Sequence, residues 1–226
     1  MAPYTVALIK AYGSIEMLEI HRITELETLV DDVDAVIFDL DDTLYPEKSY
    51  VRSGYAAVAR EFSQIPDMAE RLWKVFERGG RAIDEVLEAV GMATEENRDR
   101  ALRVYRFHAP QIQLYEGARE MLNRLRQNGK RLGLITDGRP EGQRAKIKAL
   151  GIEPLFDEII VTDELGGVEF RKPNQRAFRL MGERLSIPFE KMIYVGDNLR
   201  KDGIAPEALG MRFCHHLAPD GLYVGR

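Results

Sequence analysis

A chain of 226 residues, 45% hydrophobic and 31% charged, is long enough for one large domain with a smaller appendage, and this composition excludes a disordered or fibrous protein. Its 37 acidic and 32 basic side chains leave a net charge of -5, so neither nucleic acid nor an anionic membrane is expected as a partner. The single cysteine, Cys214, excludes an intrachain disulfide framework and a thiolate metal cluster; with no apolar run near the ~20 residues of a membrane span and no secretory pattern at the start, a cytoplasmic location is expected.

Residues 1–30 form an N-terminal extension. Segments 4–10 and 15–21, separated by Gly13-Ser14, read as a β-hairpin, and Thr24 with Glu27 offers a capping box to a short helix carrying Leu26 and Leu29. The apolar run 35–38 then reads as the first core strand. A βαβ unit needs roughly thirty residues, yet the next comparable run begins only at Leu132, so the interval carries an insertion. Within it Val51, Tyr55, Val58 and Phe62 recur at helical spacing, followed by Met68, Leu72, Val75 and Phe76, then Ile83, Val86, Leu87 and Val90, then Ala101, Leu102 and Tyr105. Gly79-Gly80 and Gly91 break this pattern and Pro110 ends it, giving a four-helix insertion over 46–111.

After the insertion, amphipathic stretches at 118–126, 143–150 and 175–185 alternate with apolar runs at 132–135, 159–161, 192–195 and 211–214. Five short runs, apolar on both faces and separated by helices, predict an α/β fold: a Rossmann-like three-layer core (31–45 and 112–226) around a mostly parallel five-stranded sheet. No internal repeat or low-complexity tract interrupts it.

The chemistry-bearing residues sit where these strands end. Asp39 and Asp41 leave the first strand two positions apart, so extended backbone points both carboxylates to one side and Leu40 to the other. Taken alone this pair is equally a solvated strand exit. Two other strands, however, run into Thr136-Asp137-Gly138 and Gly196-Asp197-Asn198, with Asp202 beyond, and open α/β sheets place their ligand crevice at that carboxyl edge. Gathered there, Asp39, Asp41, Asp197 and Asp202 would repel by about 4 kcal/mol per pair at ~4 Å and an effective dielectric near 20. They need a cation, and oxygen donors without clustered histidine favour a hard ion, with Mg²⁺ the expected one. Lys172, read singly, is a solvated lysine, and Thr136 a strand-end hydroxyl. Beside a carboxylate cluster, Lys172 would instead neutralise a phosphate dianion, with Thr136 and the amide of Gly138 donating to its oxygens. Pro173 suits the first position of the helix that follows.

Phe38-Asp39-Leu40-Asp41-Asp42-Thr43-Leu44, Ile135-Thr136-Asp137-Gly138, Arg171-Lys172-Pro173 and Gly196-Asp197 with Asp202 resemble, in order, the four motifs of the haloacid dehalogenase superfamily. The resemblance runs from about Asp34 to Phe213 and includes an insertion where members with a helical C1-type cap carry theirs. It implies a phosphatase in which Asp39 is the nucleophile and Asp41 the general acid and base. It further implies that Thr136 and Lys172 hold the phosphoryl group, and that Asp39, the backbone carbonyl of Asp41, and Asp197 ligate Mg²⁺ with Asp202 supporting through water. Dehalogenases proper lack an acid at the second position, so Asp41 favours phosphoryl transfer.

The expected reaction is Mg²⁺-dependent hydrolysis of a small phosphate monoester, such as a sugar phosphate or nucleotide, through an aspartyl-phosphate. Crowding by the other carboxylates is expected to raise the pKa of Asp41 so that it begins protonated. The alternatives are a phosphomutase on the same scaffold and a phospho-accepting receiver domain; the latter needs neither the insertion nor Asp41. The cap is expected to close over the site, with Tyr45, Arg52, Tyr55 and His108 as candidate readers of the leaving group. Each has a plainer reading: Tyr55 lies on the apolar stripe of its helix, Arg52 is solvated, and His108 steadies the hinge. His215 and His216 are adjacent on a strand, face opposite ways and cannot chelate one ion together. Cys214 reads as a small buried hydrophobe, and the basic stretch 124–131 complements a helix C-terminus. Monomer and homodimer both remain open.

Overall fold

The structure, a computed structural model, describes residues 17–218 and 220–222. The first arm of the expected hairpin (4–10) and its turn (13–14) lie outside them. The described residues form one sheet of six strands: β1 (Leu18–Ile20), β2 (Ala35–Phe38), β3 (Arg131–Thr136), β4 (Glu158–Val161), β5 (Met192–Gly196) and β6 (Arg212–His216). Their order is β1-β6-β5-β2-β3-β4, and every pairing is parallel.

Five of these strands coincide with the five apolar runs, because a strand covered on both faces is apolar throughout: β2 and β5 are buried along their whole length. The sixth, β1, corrects the expected count. It has three residues and no apolar run, and it exists by pairing Leu18 with Cys214 and Ile20 with His216 at the edge of β6. The short helix after it is a 3-10 helix, Ile23–Leu29. Its start is fixed by Glu25, whose carboxylate accepts the N–H groups of His21 and of the cap residue Arg22 just ahead of the helix, and not by a Thr24–Glu27 capping box. Glu27 pairs instead with Arg124.

The helices are α1 (Glu47–Glu61), α2 (Met68–Glu77), α3 (Ala82–Ala89), α4 (Glu95–Phe107), α5 (Ala118–Gln127), α6 (Pro140–Leu150), α7 (Arg176–Leu185) and α8 (Ile204–Leu209). The chain divides into two compact units, residues 1–47 with 113–226, and residues 48–112. In the first, Ile37, Ile135, Phe178, Met181, Tyr194 and Met211 form a continuous apolar cluster between the sheet and α7. Burying side chains of this size stabilises the unit by about 1.5–3 kcal/mol each. In the second, four helices close around Val58, Phe62, Leu72, Val86, Leu87 and Ala101. Thr94 caps α4 by accepting the Asn97 N–H at 3.2 Å, and the chain leaves that helix through extended His108 ahead of Pro110. Among the described residues, no helix is long and apolar enough to cross a membrane.

The sheet order positions the site. From β2 the chain moves to β3 and β4 on one side, then crosses to β5 on the other, so the topological switch point lies between the carboxyl ends of β2 and β5.

Candidate active site

Asp39 is the residue after β2, and its N–H continues the ladder by donating to Val195 O at 2.8 Å. Asp197 follows the neighbouring β5 in the same way. Sequence-distant acids are thus brought to one edge because hydrogen-bonded strands carry them there. Beside Asp39 sits Lys172, from the loop before α7. Its ammonium donates to Asp39 Oδ1 at 2.6 Å, Asp202 Oδ1 at 2.8 Å and the Tyr194 hydroxyl at 3.0 Å, with Lys172 only 6% exposed.

That loop is pinned by Asp137, whose Oδ1 accepts the Lys172 N–H at 3.0 Å and the Thr162 hydroxyl at 2.9 Å. Contrary to expectation, Pro173 does not open the helix. It lies in a turn behind a cis Lys172–Pro173 bond, and α7 begins at Arg176. The delay has a local cause: Asn174 Oδ1 accepts the Arg176 N–H at 2.8 Å, an Asx turn that satisfies the helix start there. On β5, Gly196 is required by close approach, since a Cβ would stand 2.5 Å from Asp202 Cγ. Asp202 is also held from its own side, its Oδ2 accepting the Asn198 N–H at 3.0 Å. Gly138 turns the chain after β3 at φ +136, a conformation side chains rarely adopt, and its backbone hydrogen-bonds the Asp163 carboxylate.

Asp41 stands in a different environment. Its Oδ1 accepts from Lys146 Nζ at 2.7 Å and from the Tyr45 hydroxyl, and its Oδ2 from Gln143 Nε2 at 2.9 Å. The same Gln143 nitrogen donates to Thr136 Oγ1 at 2.5 Å. Neither Gln143 nor Lys146 was singled out in the sequence, though a signal was present. With Ile147 and Leu150 they occupy the buried stripe of α6 at i, i+3, i+4 and i+7, where two polar residues in an apolar pattern call for polar partners.

The electrostatics divide along the same line. Burial, then the charges of Asp202 and Asp41, pushes the Asp39 carboxyl up to about 7 against the pull of Lys172. Burial and the charges of Asp39 and Asp202 push Asp197 up to about 9. Burial alone would lower Lys172, but Asp202 and Asp39 hold it well above its ordinary value, so it stays charged. Asp41 corrects the sequence expectation: burial acts to raise it, yet Lys146, Tyr45 and Gln143 outweigh burial and hold it below its ordinary value. Glu47, at the start of α1, adds a carboxyl that the motifs did not point to; burial and the charge of Asp41 push it up to about 8.

The Lys172 ammonium therefore pairs with two of the three clustered carboxylates, Asp39 and Asp202. Asp39, Asp197 and Asp202 each bring an oxygen within 4.8 Å of the others. This all-oxygen donor set, under-compensated in charge, suits a hard divalent cation. A pocket of about 260 Å³, lined among others by Asp39, Asp41, Glu47, Lys172, Asp197 and Lys201, opens onto the cluster.

Of the four candidate readers, Tyr45 is fully buried with its hydroxyl on Asp41. The other three belong to the second unit. Arg52 lies over the Trp73 ring at 3.6 Å, Tyr55 packs among Phe76 and Tyr105, and His108 packs at a tilt against Tyr50, ring centroids 4.9 Å apart, with Nδ1 2.7 Å from Tyr105 O. His215 and His216 lie in β6 as expected, His215 meeting the backbone oxygen of Asp197 at 2.9 Å. Cys214 is buried.

Comparison with known proteins agrees with this geometry. The family model of haloacid dehalogenase-like hydrolases matches residues 33–210. The chain belongs to that family. Among its relatives, the glyceraldehyde 3-phosphate phosphatase of Methanopyrus kandleri is 29% identical over 194 residues, 79% of this chain and 82% of that protein. The phosphoglycolate phosphatase of Cereibacter sphaeroides is 32% identical over 186 residues, with the same shares of each chain covered. In fold, the chain resembles the magnesium-bound structure of the HAD-hydrolase YfnB from Bacillus subtilis, with a TM-score of 0.62, 21% identity, and 82% and 87% of the two chains covered. The chain is thus a hydrolase whose curated relatives include phosphatases.

Proposed function

We propose that this hydrolase cleaves small phosphate monoesters through an aspartyl-phosphate on Asp39, with Mg²⁺ as cofactor. The observation that carries the reading is the gathering of Asp39, Asp197 and Asp202 at the switch point of the sheet, with Lys172 bonded to Asp39 and Asp202. Acids at that edge with a fixed cation beside them match what phosphoryl transfer asks of a site, namely positioning and charge neutralisation. Asp39, the backbone carbonyl of Asp41 and Asp197 would hold Mg²⁺, with Asp202 supporting it through water. The bound ion would offset the charge of the carboxylates and of the substrate's phosphoryl oxygens.

The chain's own residues divide the work as follows. Lys172 and the Thr136 hydroxyl orient the phosphoryl group, with Gly138 placing the turn beside it. Asp39 attacks phosphorus; its new O–P bond forms as the bond to the leaving oxygen breaks. Asp41 is held ionised by Lys146 before substrate arrives, so the proton for the leaving oxygen enters with the monoester monoanion and passes through Asp41. Water then attacks phosphorus as the bond to the Asp39 oxygen breaks; Asp41 takes the water proton and passes it to the departing phosphate, so that both carboxylates are restored. A pocket of about 260 Å³ favours small esters over bulky ones, being under the usual range for drug-sized ligands. Arg52, Tyr55 and His108 remain proposed as residues of the specificity-determining insertion.

The test is a panel of phosphate esters with Mg²⁺, following phosphate release, on wild type and Asp39→Asn. Wild type should turn over at least one small ester and Asp39→Asn none, with its circular dichroism unchanged. Retained Mg²⁺-dependent turnover in Asp39→Asn would refute the assignment.

A further inference from the structure

We propose that Lys146 and Tyr45, with Gln143, form a positioning clamp that locks Asp41 Oδ1 and leaves one lone pair of Oδ2 as the sole proton-exchange site; this rests on the phosphatase reading above. The argument is a count of lone pairs. A carboxylate oxygen offers two. Both on Oδ1 are taken, by the Lys146 ammonium at 2.7 Å and the Tyr45 hydroxyl. Among the described residues Oδ2 accepts only from Gln143, at 2.9 Å, which leaves one position on that oxygen.

The orientation of the Gln143 amide follows from its surroundings, since turning its oxygen toward Asp41 would set acceptor against acceptor. Its nitrogen carries two hydrogens and reaches both Asp41 Oδ2 and Thr136 Oγ1, the latter at 2.5 Å. With a lone pair of Thr136 so occupied, the hydroxyl proton of Thr136 is directed elsewhere, as a donor. One side chain thereby orders the acid–base carboxylate and the phosphate-facing hydroxyl together. The clamp is rigid because its parts are buried, Tyr45 at 0%, Gln143 at 4% and Lys146 at 5% exposure. None of the three belongs to the four motifs.

The experiment uses the full chain with Mg²⁺ and two esters, an alkyl phosphate whose alkoxide must be protonated to leave and p-nitrophenyl phosphate whose phenolate needs no proton. Lys146→Met should lower kcat for the alkyl ester at least about tenfold, a fraction of the full acid–base contribution, with KM within about twofold. On p-nitrophenyl phosphate it should release one equivalent of nitrophenolate at the wild-type rate and then slow, because aspartyl-phosphate accumulates while its attacking water lacks a placed base. Lys146→Arg should recover most of kcat. Tyr45→Phe, which removes one oxygen and keeps the ring, should show the same burst more weakly and decides the matter if Lys146→Met fails to fold. Equal losses on both esters without a burst, or wild-type behaviour, would overturn the clamp. Failure of wild type itself to release phosphate from any ester would instead overturn the phosphatase reading.

Discussion

Lys172→Met is the sharpest perturbation of the site, because methionine keeps an unbranched apolar stem and removes only the charge. The ammonium stands 2.6 Å from Asp39 and 2.8 Å from Asp202, with the three side chains 2%, 9% and 1% exposed respectively. At an effective dielectric near 20, a unit-charge pair at ~2.7 Å attracts by about 6 kcal/mol. Two such contacts are offset by several kcal/mol for removing each ion from water, and loss of one partner of a buried pair typically costs about 3–5 kcal/mol. That is the expected destabilisation at pH 7.5 without metal, a large share of a typical domain stability of about 5–15 kcal/mol. The sign with pH is set by the acids left behind. The Asp39 carboxyl, already pushed up to about 7, rises further, so it holds a proton that the unfolded chain releases above about pH 4, and stability falls as pH rises. The deficit should therefore shrink at pH 5, where the Asp39 carboxyl is protonated and its repulsion with Asp202 is relieved. Urea unfolding at both pH values, read by amide exchange in β2 and β5, measures it; the single tryptophan, Trp73, reports on the other unit. A deficit under about 1 kcal/mol, or one equal at pH 5 and 7.5, would refute the electrostatic account.

Metal should act on the same balance. Asp39 and Asp197 are raised to about 7 and about 9, so the metal-free protein loses stability as pH climbs from 4 through those values, and Mg²⁺ should restore more at pH 8 than at pH 5.5. A hundredfold excess over Kd adds about 2.7 kcal/mol, readable as a Tm shift that EDTA removes. His216, 2% exposed and lowered by burial to about 4, works in the opposite direction. The unfolded chain takes up that proton near pH 6.5 and the folded chain does not, so stability is lost as pH falls from 6.5 toward 4, by up to about 3 kcal/mol. His216→Gln should flatten that part of the stability profile. Gly196→Ala places a methyl 2.5 Å from Asp202 Cγ, and should cost about 1–3 kcal/mol and lower Mg²⁺ affinity by displacing that carboxylate; unchanged metal titration would contradict the packing argument.

The motif side chains and five strands were legible in the sequence for a physical reason. A strand buried on both faces must be apolar throughout, and the charged residue that stops the run marks the edge where ligands bind. Four-helix periodicity in the insertion was equally direct, down to the glycines at 79–80 and 91 that interrupt it. Pro173 misled because its ring suits a helix start as well as a turn, and the side chain of Asn174 chose between them.

Local pattern, then, settled which residues are strand, helix and motif, since each depends on neighbours within a few positions. Only the fold decided what faces what. Three-residue β1 falls in the segment 15–21 that reads as a hairpin arm, but that it pairs in parallel with β6 is set by the fold, and the ionisation of Asp41 reversed from the expectation once Lys146, Tyr45 and Gln143 were seen to surround it. Charge acts through space, and the 105 positions between Asp41 and Lys146 in the chain collapse to 2.7 Å only when α6 packs its polar stripe inward.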